Sequence, residues 1–584
     1  MMEGIDSLNP FIGVNDNAYI FYGLVYDYLI AVDEDMNPSP NLALSWNIVP
    51  SMEPYGSVWQ YNLTQNATWH DGWPMTADDV NFTINYQVGP RYTTMWAFQP
   101  YTILINRSVA VDDYTVWIYF KNLSGRPAPC PFGDKLMLPI VPEHFWKNID
   151  PSAAANKEEN PWPIGTGPFM CTANTQEEFN GRSAMVLYKN PDYHSKADFN
   201  KEVQFDRLIL KFYLEPAAML TDMETGVIDL ALFNAPNYRS LLDYIGSNPK
   251  APIGTYAGLT CTSYSIDLEV NMKDNPGVNP LRLDPEVRKA MAYAIDKEFI
   301  RDHIYKGFAQ EGSTIISPIY GENIFWTPSA AEKYSFDLEK ANQTLEAAGY
   351  AWNPGHTVRV SSPTNKWYPN QELKFTVVIE EGLVEDKDTA DLLKYDWAKI
   401  GIQLDSVLYD TGQWNTIIYS YSAPYDLTIS YWSGDPDPNY LLFIETSYAI
   451  GGWSENAYSN PEYDQNYTLC VNTTDLALRD QYIVNCQKIM YRDAAFIVTV
   501  YPYGCYAWRT DHFSGWGDWQ AHPGRSLSNY WTANPLYFDL VPTGGHKTDL
   551  TMAYIGIGAA IAAVVGVVLF LKFRPPKEED VRLP

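Results

Sequence analysis

The chain has 584 residues, of which 46% are hydrophobic and 19% are charged, and its formal net charge is −30. That length exceeds what one compact core can organise, so we expect about two to four folded domains. Nucleic-acid binding requires patches of Lys and Arg, and docking on an anionic membrane surface requires the same cations. The acidic balance therefore argues against both of these partners.

The first half of the chain alternates between strand, loop and helix patterns. Residues 17–125 predict short alternating strands separated by turn clusters such as "DEDMNPSP", and the proline-rich residues 121–165 predict loops. From residue 203, "VQFDRLILKFYLE" predicts a strand, "PAAMLTDMETG" a helix that ends at Gly226, and "VIDLALF" a further strand. This succession is typical of an α/β protein.

The second half carries longer helices. "DPEVRKAMAYAIDKEFIRDHIY" predicts one helix with Asp284 as its N-cap and Pro285 at its first position. "KFTVVIEE", a helix through "DTADLLKYDWAKIG", and "IQLDSVLYD" together predict a β-α-β unit. "YDLTISYW" predicts an apolar strand that stops at "SGDPDPN", and "LRDQYIVNCQKIMYRD" predicts a late helix.

Residues 552–571, "MAYIGIGAAIAAVVGVVLFL", form an uncharged stretch with the length that crosses a bilayer. The basic segment "KFRPPK" follows it, and positive charge beside a span marks the cytoplasmic side. We therefore predict a single-pass protein of the cell membrane, with its ectodomain outside the cell. Residues 546–551 would be the linker and residues 572–584 the cytoplasmic tail.

Cysteines, the N-terminus and sequons also bear on location. None of the six Cys residues forms a C-x-x-C pair, so no zinc or redox site is predicted. Disulfides can form outside the cell, but the sequence does not determine which cysteines would pair.

The N-terminal segment "MMEGIDSLNPF" lacks the apolar core of a signal peptide. Either a leader is missing from this sequence, which we favour, or the chain is tail-anchored in the cytosol. Sequons, which fit a glycoprotein, occur at Asn62, Asn66, Asn81, Asn106, Asn122, Asn342, Asn466 and Asn472.

The stretch "TWHDGWPMTADDVNFTINY", residues 68–86, gathers one His and three Asp residues. A metal site needs three or four converging ligands, and "HDGW" has the composition of a turn, so we interpret His70 and Asp71 as structural. Thr76 and Asp79 match the S/T-x-x-D capping box that begins a helix. The apolar alternation that follows favours a strand instead. The two signals disagree, and we follow the cap.

Nine segments occur in an order that characterises one family. Together they resemble the dipeptide/oligopeptide class of extracellular solute-binding proteins, the receptors of ABC importers, over residues 10–540. The segments are "PNLALSWNIV", "ATWHDGWPMTADDVNFTI", "PIGTGPF", "GVIDLALF", "VRKAMAYAIDKEFI", "LEKANQTLEAAGY", "KIGIQL", "SGDPDP" and "YSNPEYD". The C-terminal membrane span further resembles archaeal members of the class.

The resemblance implies a two-lobed α/β fold of the type II periplasmic-binding-protein class. An extra sub-domain would decorate it, and one C-terminal transmembrane helix would follow. Lobe I would comprise residues 1–45, 161–272 and 491–545, with the sub-domain at 46–160, and lobe II would comprise residues 273–490. Crossing strands near residues 258–272 and 492–503 would form the hinge between the lobes.

The resemblance also implies ligand contacts in two places. In peptide-binding relatives, the Asp that matches Asp435 of "YWSGDPDPNY" pairs with the α-amino group of the ligand, and Trp432 offers a flat apolar face. The alternative interpretation of this segment is a turn punctuated by proline. "NDNAYIFY" matches the first strand of lobe I, and Asn17 and Tyr19 are its candidate cleft residues. "PIGTGPF" lacks the Lys-Ser/Thr of a phosphate loop and predicts a tight return of the chain.

The sequence thus predicts a receptor that performs no chemistry. No catalytic residue, metal or cofactor is expected, since neither G-x-S-x-G nor H-E-x-x-H occurs. The expected partners are a short peptide, the permease and ATPase subunits of an ABC transporter, and the membrane, without nucleic acid. The surplus of 43 Tyr and 19 Trp leaves an oligosaccharide ligand open. The abundance of acidic residues leaves an extracellular hydrolase open.

Overall fold

The computed structural model of the chain describes most of the ectodomain. The residues described are 4–5, 7–11, 13, 16–35, 37–52, 54–88, 99–149, 163–172, 184–259, 265–273, 277–421, 424–522 and 535–544. The predicted membrane span, its linker, the cytoplasmic tail and Cys261 lie outside these residues.

Strands and helices alternate throughout the described chain. The strands are β1 (Ile30–Val32), β2 (Pro38–Pro40), β3 (Ala43–Ile48), β4 (Val58–Leu63), β5 (Ile105–Asp112), β6 (Thr115–Phe120), β7 (Phe169–Met170), β8 (Ala184–Lys189), β9 (Arg207–Lys211), β10 (Leu230–Phe233), β11 (Ile253–Gly258), β12 (Ser265–Val270), β13 (Ala309–Glu311), β14 (Tyr350–Trp352), β15 (Arg359–Ser361), β16 (Lys374–Glu380), β17 (Gln403–Tyr409), β18 (Leu427–Trp432), β19 (Phe496–Pro502), β20 (Gly504–Arg509), β21 (Phe513–Ser514) and β22 (Val541–Pro542).

The helices are α1 (Asp16–Val25), α2 (Ala77–Gln87), α3 (Gln99–Thr102), α4 (Glu143–Trp146), α5 (Ser195–Phe199), α6 (Pro216–Thr225), α7 (Ala235–Ser247), α8 (Pro285–Tyr293), α9 (Leu338–Ala347), α10 (Val384–Ala398), α11 (Thr411–Ser420), α12 (Asn439–Phe443), α13 (Pro461–Val471), α14 (Leu476–Asp493) and α15 (Pro535–Asp539). Short helical turns lie at Gly133–Lys135, Pro280–Leu283, Lys297–Phe299, Ile300–Ile304, Pro318–Tyr320 and Ser447–Ala449.

A mixed six-stranded sheet with the order β13-β19-β12-β18-β16-β17 organises the second half of the chain. β16 runs parallel to β17 and β18, and the crossover helix α10 completes the β-α-β unit that the sequence predicts. Leu268, Val377 and Ile429 are at most 1% exposed on this sheet. They share one apolar core with Val287 of α8 and Leu393 of α10, which fixes these helices on the sheet.

The other large sheets are built from the first half of the chain and from its last described segments. The order β3-β4-β6-β5 forms an antiparallel sheet within the predicted sub-domain, and β7-β8-β9 forms a second sheet. The order β10-β20-β11 forms a third sheet. Because β20 pairs between β10 and β11, a late segment of the chain completes a sheet begun much earlier.

The chain passes twice between the β10-β20-β11 sheet and the six-stranded sheet. β11 ends in the first and β12 begins in the second, while β19 ends in the second and β20 begins in the first. β12 and β19 are antiparallel neighbours, so the two passages lie side by side. This arrangement supports a hinge at the predicted place, although the exact lobe boundaries stay a prediction.

One continuous apolar core joins the predicted sub-domain to residues 440–496. It contains Tyr101 and Phe132 of the sub-domain together with Leu442 and Tyr467 of the later helices. The amide of Asn439 also donates to the carbonyl oxygen of Pro100 at 3.1 Å. The sub-domain therefore contacts the part of the chain predicted to form lobe II.

The strand predicted at "NDNAYIFY" is wrong, because the segment lies in α1. Ala18, Tyr22 and Leu24 are fully buried there. A helix enclosed by the core is apolar on every side and shows no polar stripe. Its short run of aromatic and β-branched residues therefore has the composition of a strand. Asn17 and Tyr19 accordingly lie on a helix.

The single helix predicted over residues 284–305 is interrupted. α8 ends at Tyr293, and the side chain of Asp296 caps a second short turn. The break turns Lys297 inward, where its ammonium donates to the carbonyl oxygen of Val498 at 2.6 Å. A buried ammonium requires such acceptors, so the interruption provides for this cation.

Candidate functional site

His70 holds a glycine turn against the end of α1. Its Nδ1 accepts a hydrogen bond from the backbone N–H of Gly165 at 3.2 Å, and its Nε2–H donates to the carbonyl oxygen of Gly167 at 3.1 Å. A ring that accepts at one nitrogen and donates at the other is neutral. Burial lowers the pKa of His70 to about 4, in agreement with that state. A Cβ on Gly165 would lie 1.8 Å from the carbonyl oxygen of Val25, so glycine is required for the approach.

Asp79 caps two helices at once. One carboxylate oxygen accepts the backbone N–H of Thr76, the N-cap of α2, at 2.9 Å. The other accepts the backbone N–H of Glu143, the first residue of α4, at 2.9 Å. The residues after Thr76 are helical, so the cap prevails over the alternation. Asp71 pairs with His144 at 2.8 Å. The contacts of this stretch are therefore those of a scaffold.

The loop after β18 brings Asp435 to the sub-domain. Tyr101 of α3 donates its hydroxyl to Oδ2 of Asp435 at 2.7 Å, and Tyr320 donates its hydroxyl to the carbonyl oxygen of Asp435 at 2.5 Å. A Cβ on Gly434 would lie 2.1 Å from the hydroxyl of Tyr320, so the absence of a side chain admits this contact. Asp435 is half-buried. The loop thus presents a partly accessible carboxylate where two regions of the chain meet.

Asp437, two residues further on, has a different environment. It is fully buried, and its two oxygens accept hydrogen bonds from Arg479 of α14 at 2.9 and 2.7 Å. Burial alone would raise the pKa of Asp437, but the Arg479 guanidinium holds it below the ordinary value. This bidentate pair fixes the loop to α14, which leaves Asp435 as the partly exposed acid of "GDPDP".

Trp432 belongs to a cluster of four aromatic rings. Its ring centroid lies 5.7 Å from that of Tyr440, 6.1 Å from that of Trp453 and 6.5 Å from that of Tyr419. Its indole N–H donates to Glu455 at 3.0 Å. Because Trp432 is 7% exposed, it offers a ligand only a small part of its surface in this structure.

The other two candidates, Asn17 and Tyr19, lie on α1. Tyr19 is 6% exposed, and its hydroxyl donates to the carbonyl oxygen of Gly13 at 3.1 Å. Its ring packs edge-on against Tyr22, with centroids 5.9 Å apart. Asn17 is half-buried. Their role as ligand contacts stays a prediction.

Three side chains around this loop were missed by sequence reasoning. Tyr101 lies 334 residues from Asp435, Tyr320 lies 115 residues from it, and Glu455 lies 23 residues from Trp432. No local pattern links residues so far apart. The surplus of Tyr was the one available signal, and it indicates hydroxyl contacts without locating them.

Potential metal ligands and five cysteines lie within the ranges given above. Within them, no group of three or more His, Cys, Asp or Glu residues is arranged to hold a metal ion. The cysteines described, Cys130, Cys171, Cys470, Cys486 and Cys505, are free thiols. Among the same residues, no helix combines the length and apolarity needed to cross a bilayer.

Comparison with known proteins identifies the class. Residues 37–452 match the sequence profile of the bacterial extracellular solute-binding proteins, family 5, middle region. The match covers more than half of the chain. The chain belongs to this family. Members of family 5 are extracellular binding proteins, in agreement with a location outside the cytoplasm and with a binding function.

Curated relatives of this family 5 protein cover most of its length. Heme-binding protein A of Haemophilus influenzae is 24% identical over 494 residues, which is 80% of this chain and 79% of that protein. Oligopeptide-binding protein AppA of Bacillus subtilis is 23% identical over 544 residues, which is 90% of this chain and 89% of that protein.

Solved structures show the fold. AppA from Bacillus subtilis in complex with a nonapeptide superimposes with a TM-score of 0.73 and 20% identity, covering 90% of this chain and 95% of that one. A periplasmic oligopeptide-binding protein from Thermotoga maritima with bound mannohexaose gives 0.74 and 20%, covering 93% and 98%. The family 5 protein therefore has the two-lobed α/β fold of the type II periplasmic binding proteins, as the sequence predicts.

Proposed function

We propose that this family 5 protein is the receptor of an ABC importer and that it captures short peptides between its two lobes. The observation that carries the proposal is the position of Asp435. Its half-buried carboxylate follows β18 and is met at 2.7 Å by the hydroxyl of Tyr101 from the sub-domain. A ligand held at this point would touch both sides of the contact between the two regions.

The chemistry of the anchor follows from its charge. A peptide α-ammonium would form a charge-assisted hydrogen bond with Asp435, and that bond strengthens as closure excludes water. The hydroxyl of Tyr101 would orient the carboxylate toward the ammonium. No bond is made or broken. The ligand stabilises the closed arrangement because it binds that arrangement more tightly than the open one.

Further contacts complete the proposed site. Trp432, supported by Tyr440 and Trp453, would border a subsite for a ligand side chain. Asn17 and Tyr19 of α1 would contribute from lobe I. The relative AppA is named an oligopeptide-binding protein, and its structure contains a nonapeptide, which supports a peptide as the ligand.

We propose the same lobe boundaries, membrane anchor and transporter partners that the sequence predicts. Lobe I, its sub-domain and lobe II would have the boundaries given above, and the closed form would dock on a permease whose ATPase subunits supply the energy. Residues 552–571 would anchor the ectodomain as in archaeal members. The eight sequon asparagines support a glycoprotein, since none of them is buried.

An oligosaccharide is the second candidate ligand. The aromatic cluster around Trp432 favours it, because aromatic faces pack against the apolar faces of sugar rings. The mannohexaose in the Thermotoga maritima structure shows that this fold holds such a molecule. A sugar would not require the charge of Asp435.

A thermal-shift comparison of the full-length chain tests the proposal. A peptide at 100 times its Kd stabilises the folded state by about 2.7 kcal/mol, so a binding pool raises the melting temperature. Asp435→Asn should remove most of the peptide shift, and N-acetylated peptides should give little shift with the wild type. Asp78→Asn, an exposed Asp of the scaffold stretch, is the matched control and should keep the full shift.

Three outcomes would contradict the peptide proposal. An undiminished peptide shift in Asp435→Asn would remove the ammonium anchor. A shift produced by oligosaccharides and not by peptides would favour the second candidate. Turnover of either pool would make the chain a hydrolase.

A further inference from the structure

Glu455 is a buried carboxylate that accepts hydrogen bonds from three side chains. Ser430 and Trp432 donate to its Oε2 at 2.9 and 3.0 Å, and Tyr419 donates to its Oε1 at 3.0 Å. Glu455 is 3% exposed and forms no ion pair with a described Lys, Arg or His. Because all three partners are donors, they satisfy an ionised carboxylate.

A second carboxyl group meets the first. Glu269 of β12 is 1% exposed, and its carboxyl group lies within hydrogen-bonding reach of that of Glu455. Two carboxyl groups this close in a low-dielectric interior do not both ionise readily, so we infer that the pair shares one proton. The three donors on Glu455 stabilise the negative charge of the pair. Burial raises the pKa of Glu455, and these hydrogen bonds oppose that rise.

The pair lies near the predicted hinge strands β12 and β19 and near β18, which leads to residues 435–437, here called the ligand loop. Glu269 is opposite Thr428 of β18 on one side and opposite Phe496 of β19 on the other. β12 and β19 carry the chain between the two sheets, while β18 carries Trp432 toward Asp435. Ser430 and Trp432 lie on the same face of β18 as Thr428, since side chains two residues apart share a face. The shared proton therefore joins a hinge strand to Trp432.

Other titratable groups pack around the pair. Those on α11 and the following loop are Tyr419, Tyr421 and Tyr425, and burial raises the pKa of each above its ordinary value. Their hydroxyls are accordingly neutral at physiological pH. Glu445 accepts the amide of Asn456 at 2.8 Å, and burial raises its pKa to about 8.

Two cations lie nearby. The guanidinium of Arg282 donates to the carbonyl oxygens of Asn271 and Asn279. The ammonium of Lys273 lies 4.2 Å from the centre of the Tyr421 ring. Two further groups titrate near neutral pH in these surroundings. They are Glu445 and Asp426, the residue before β18, and burial raises the pKa of Asp426 to about 6. A transition caused by either group would persist in Glu269→Gln.

We propose that Glu455 is the positioning residue for Trp432, and that the proton it shares with Glu269 makes ligand binding depend on pH. Removal of this proton at alkaline pH leaves two buried negative charges in contact. Their repulsion separates β12 from the Glu455 segment and withdraws the acceptor that orients the Trp432 indole. The expected pH dependence of ligand affinity rests on the proposed function, whereas the shared proton does not.

Near-UV circular dichroism of the ligand-free, full-length chain tests the shared proton. The scan runs from about pH 5 to about pH 10, and we expect a Trp432 transition above the ordinary pKa of Glu, because burial raises the pKa of Glu455. Trp432→Phe should remove the transition, because it removes the reporting chromophore. Glu269→Gln should also remove it and retain the spectrum of the wild type at low pH, since its amide N–H donates to Glu455 in place of the proton.

Glu445→Gln is the matched control, because Glu445 is an equally buried Glu whose hydrogen-bond donor is Asn456 and not Trp432. The charges of Glu445 and Glu455 repel each other, so this variant should keep the Trp432 transition and move it to a lower pH. Persistence of the transition in Glu269→Gln, or its disappearance in Glu445→Gln, would overturn the assignment to the Glu269–Glu455 pair.

Peptide affinity measured over the same pH range tests the binding consequence. The α-amino group of the ligand titrates at about 7.7–8.0 in every variant, so the informative quantity is the difference between proteins. Between the two ends of the range, the wild type should weaken about tenfold more than Glu269→Gln, which corresponds to about 1.4 kcal/mol. Parallel profiles would overturn the positioning role. If the transition behaves as expected but no peptide binds any variant, the proposed function fails and the shared proton stands.

Discussion

The scaffold stretch of residues 70–79 and the ligand loop of residues 435–437 are both rich in Asp, but their partners differ. In the scaffold stretch, Asp79 accepts backbone N–H groups of Thr76 and Glu143, which belong to the same sub-domain. Thr76 is three residues from Asp79 and Glu143 is 64 residues from it, so the carboxylate also joins α2 to α4. These contacts specify the start of two helices within the predicted sub-domain.

In the ligand loop, the main partners are side chains. Asp437 is paired with Arg479 of α14, also in predicted lobe II, whereas Asp435 is met by Tyr101 of the sub-domain. An acid whose partners lie in its own region keeps its surroundings when regions separate, whereas Asp435 would lose the Tyr101 contact. The region from which the hydrogen-bond partners of an Asp come therefore distinguishes a structural Asp from a candidate ligand-binding Asp. The number of Asp residues in a segment does not.

The largest expected effect concerns the buried pair in the ligand loop. Arg479→Met would leave Asp437 buried and unpaired, so we expect the free energy of unfolding to fall by about 3–5 kcal/mol in urea denaturation. Arg492 pairs with Glu462 and Asp493, but its own side chain is 54% exposed, so Arg492→Met should cost only about 1 kcal/mol. Because Arg479 lowers the pKa of Asp437, its contribution is present above the ordinary pKa of Asp and is lost as pH falls through the lowered value.

The second prediction concerns the pH dependence of stability that the neutral imidazole of His70 would cause. The pKa of His70 is about 4 in the folded chain and about 6.5 when unfolded, so the unfolded chain takes up the proton first as the pH falls. Stability is fully present above about pH 6.5 and declines toward about pH 4. The decline is at most about 3 kcal/mol, since part of the side chain reaches the surface. His70→Gln lacks this decline, so its unfolding free energy should approach that of the wild type in acid. Parallel pH profiles would contradict a neutral His70.

The third prediction addresses the double cap. Asp79→Ala removes the acceptor for one N–H at the start of α2 and one at the start of α4, and we expect a loss of about 1–3 kcal/mol in thermal or urea unfolding. Asp78→Ala alters an exposed neighbour of the same charge and should change stability by less than about 0.5 kcal/mol. Equal losses in the two variants would show that net charge, and not capping, explains the effect.

The smallest effect is expected at the contact with Asp435. Tyr101→Phe removes one hydroxyl donor, so peptide binding should weaken by up to about tenfold, or about 0.5–1.5 kcal/mol, in isothermal titration calorimetry. Tyr395→Phe, at a position that is 66% exposed, is the control and should bind as the wild type does. An unchanged or tighter Kd for Tyr101→Phe would exclude Tyr101 from the binding site.

Local rules predict a large part of this fold. Asp284 caps α8 by accepting the backbone N–H of Glu286 at 3.0 Å, as its sequence pattern indicates. Gly226 adopts positive φ after the helix that it was predicted to end, and Gly349 and Gly401 adopt positive φ just beyond α9 and α10. These features depend on residues only a few positions apart, so the printed sequence contains all the information that they need.

The features that were predicted wrongly or missed depend on the tertiary fold and not on neighbouring residues. The strand predicted over α1 is wrong because burial on all sides removes the polar stripe by which a helix is recognised. Tyr101, Tyr320 and Glu455 were missed because only the tertiary fold brings them to the ligand loop. Asp435 itself is a candidate only through the resemblance to a family, and its sequence surroundings do not distinguish it from Asp437.

The place of β12 in the six-stranded sheet has a practical consequence. Because β12 is hydrogen-bonded to β18 and to β19, the ligand loop and the hinge strand move as one body. A fluorescent or spin label on β18 would therefore report rotation of that whole body instead of a local loop movement. A pair of labels placed beside Tyr101 and Asp435 would span the 2.7 Å contact between the two regions, and an increase in their separation without ligand would be the expected sign of the proposed opening.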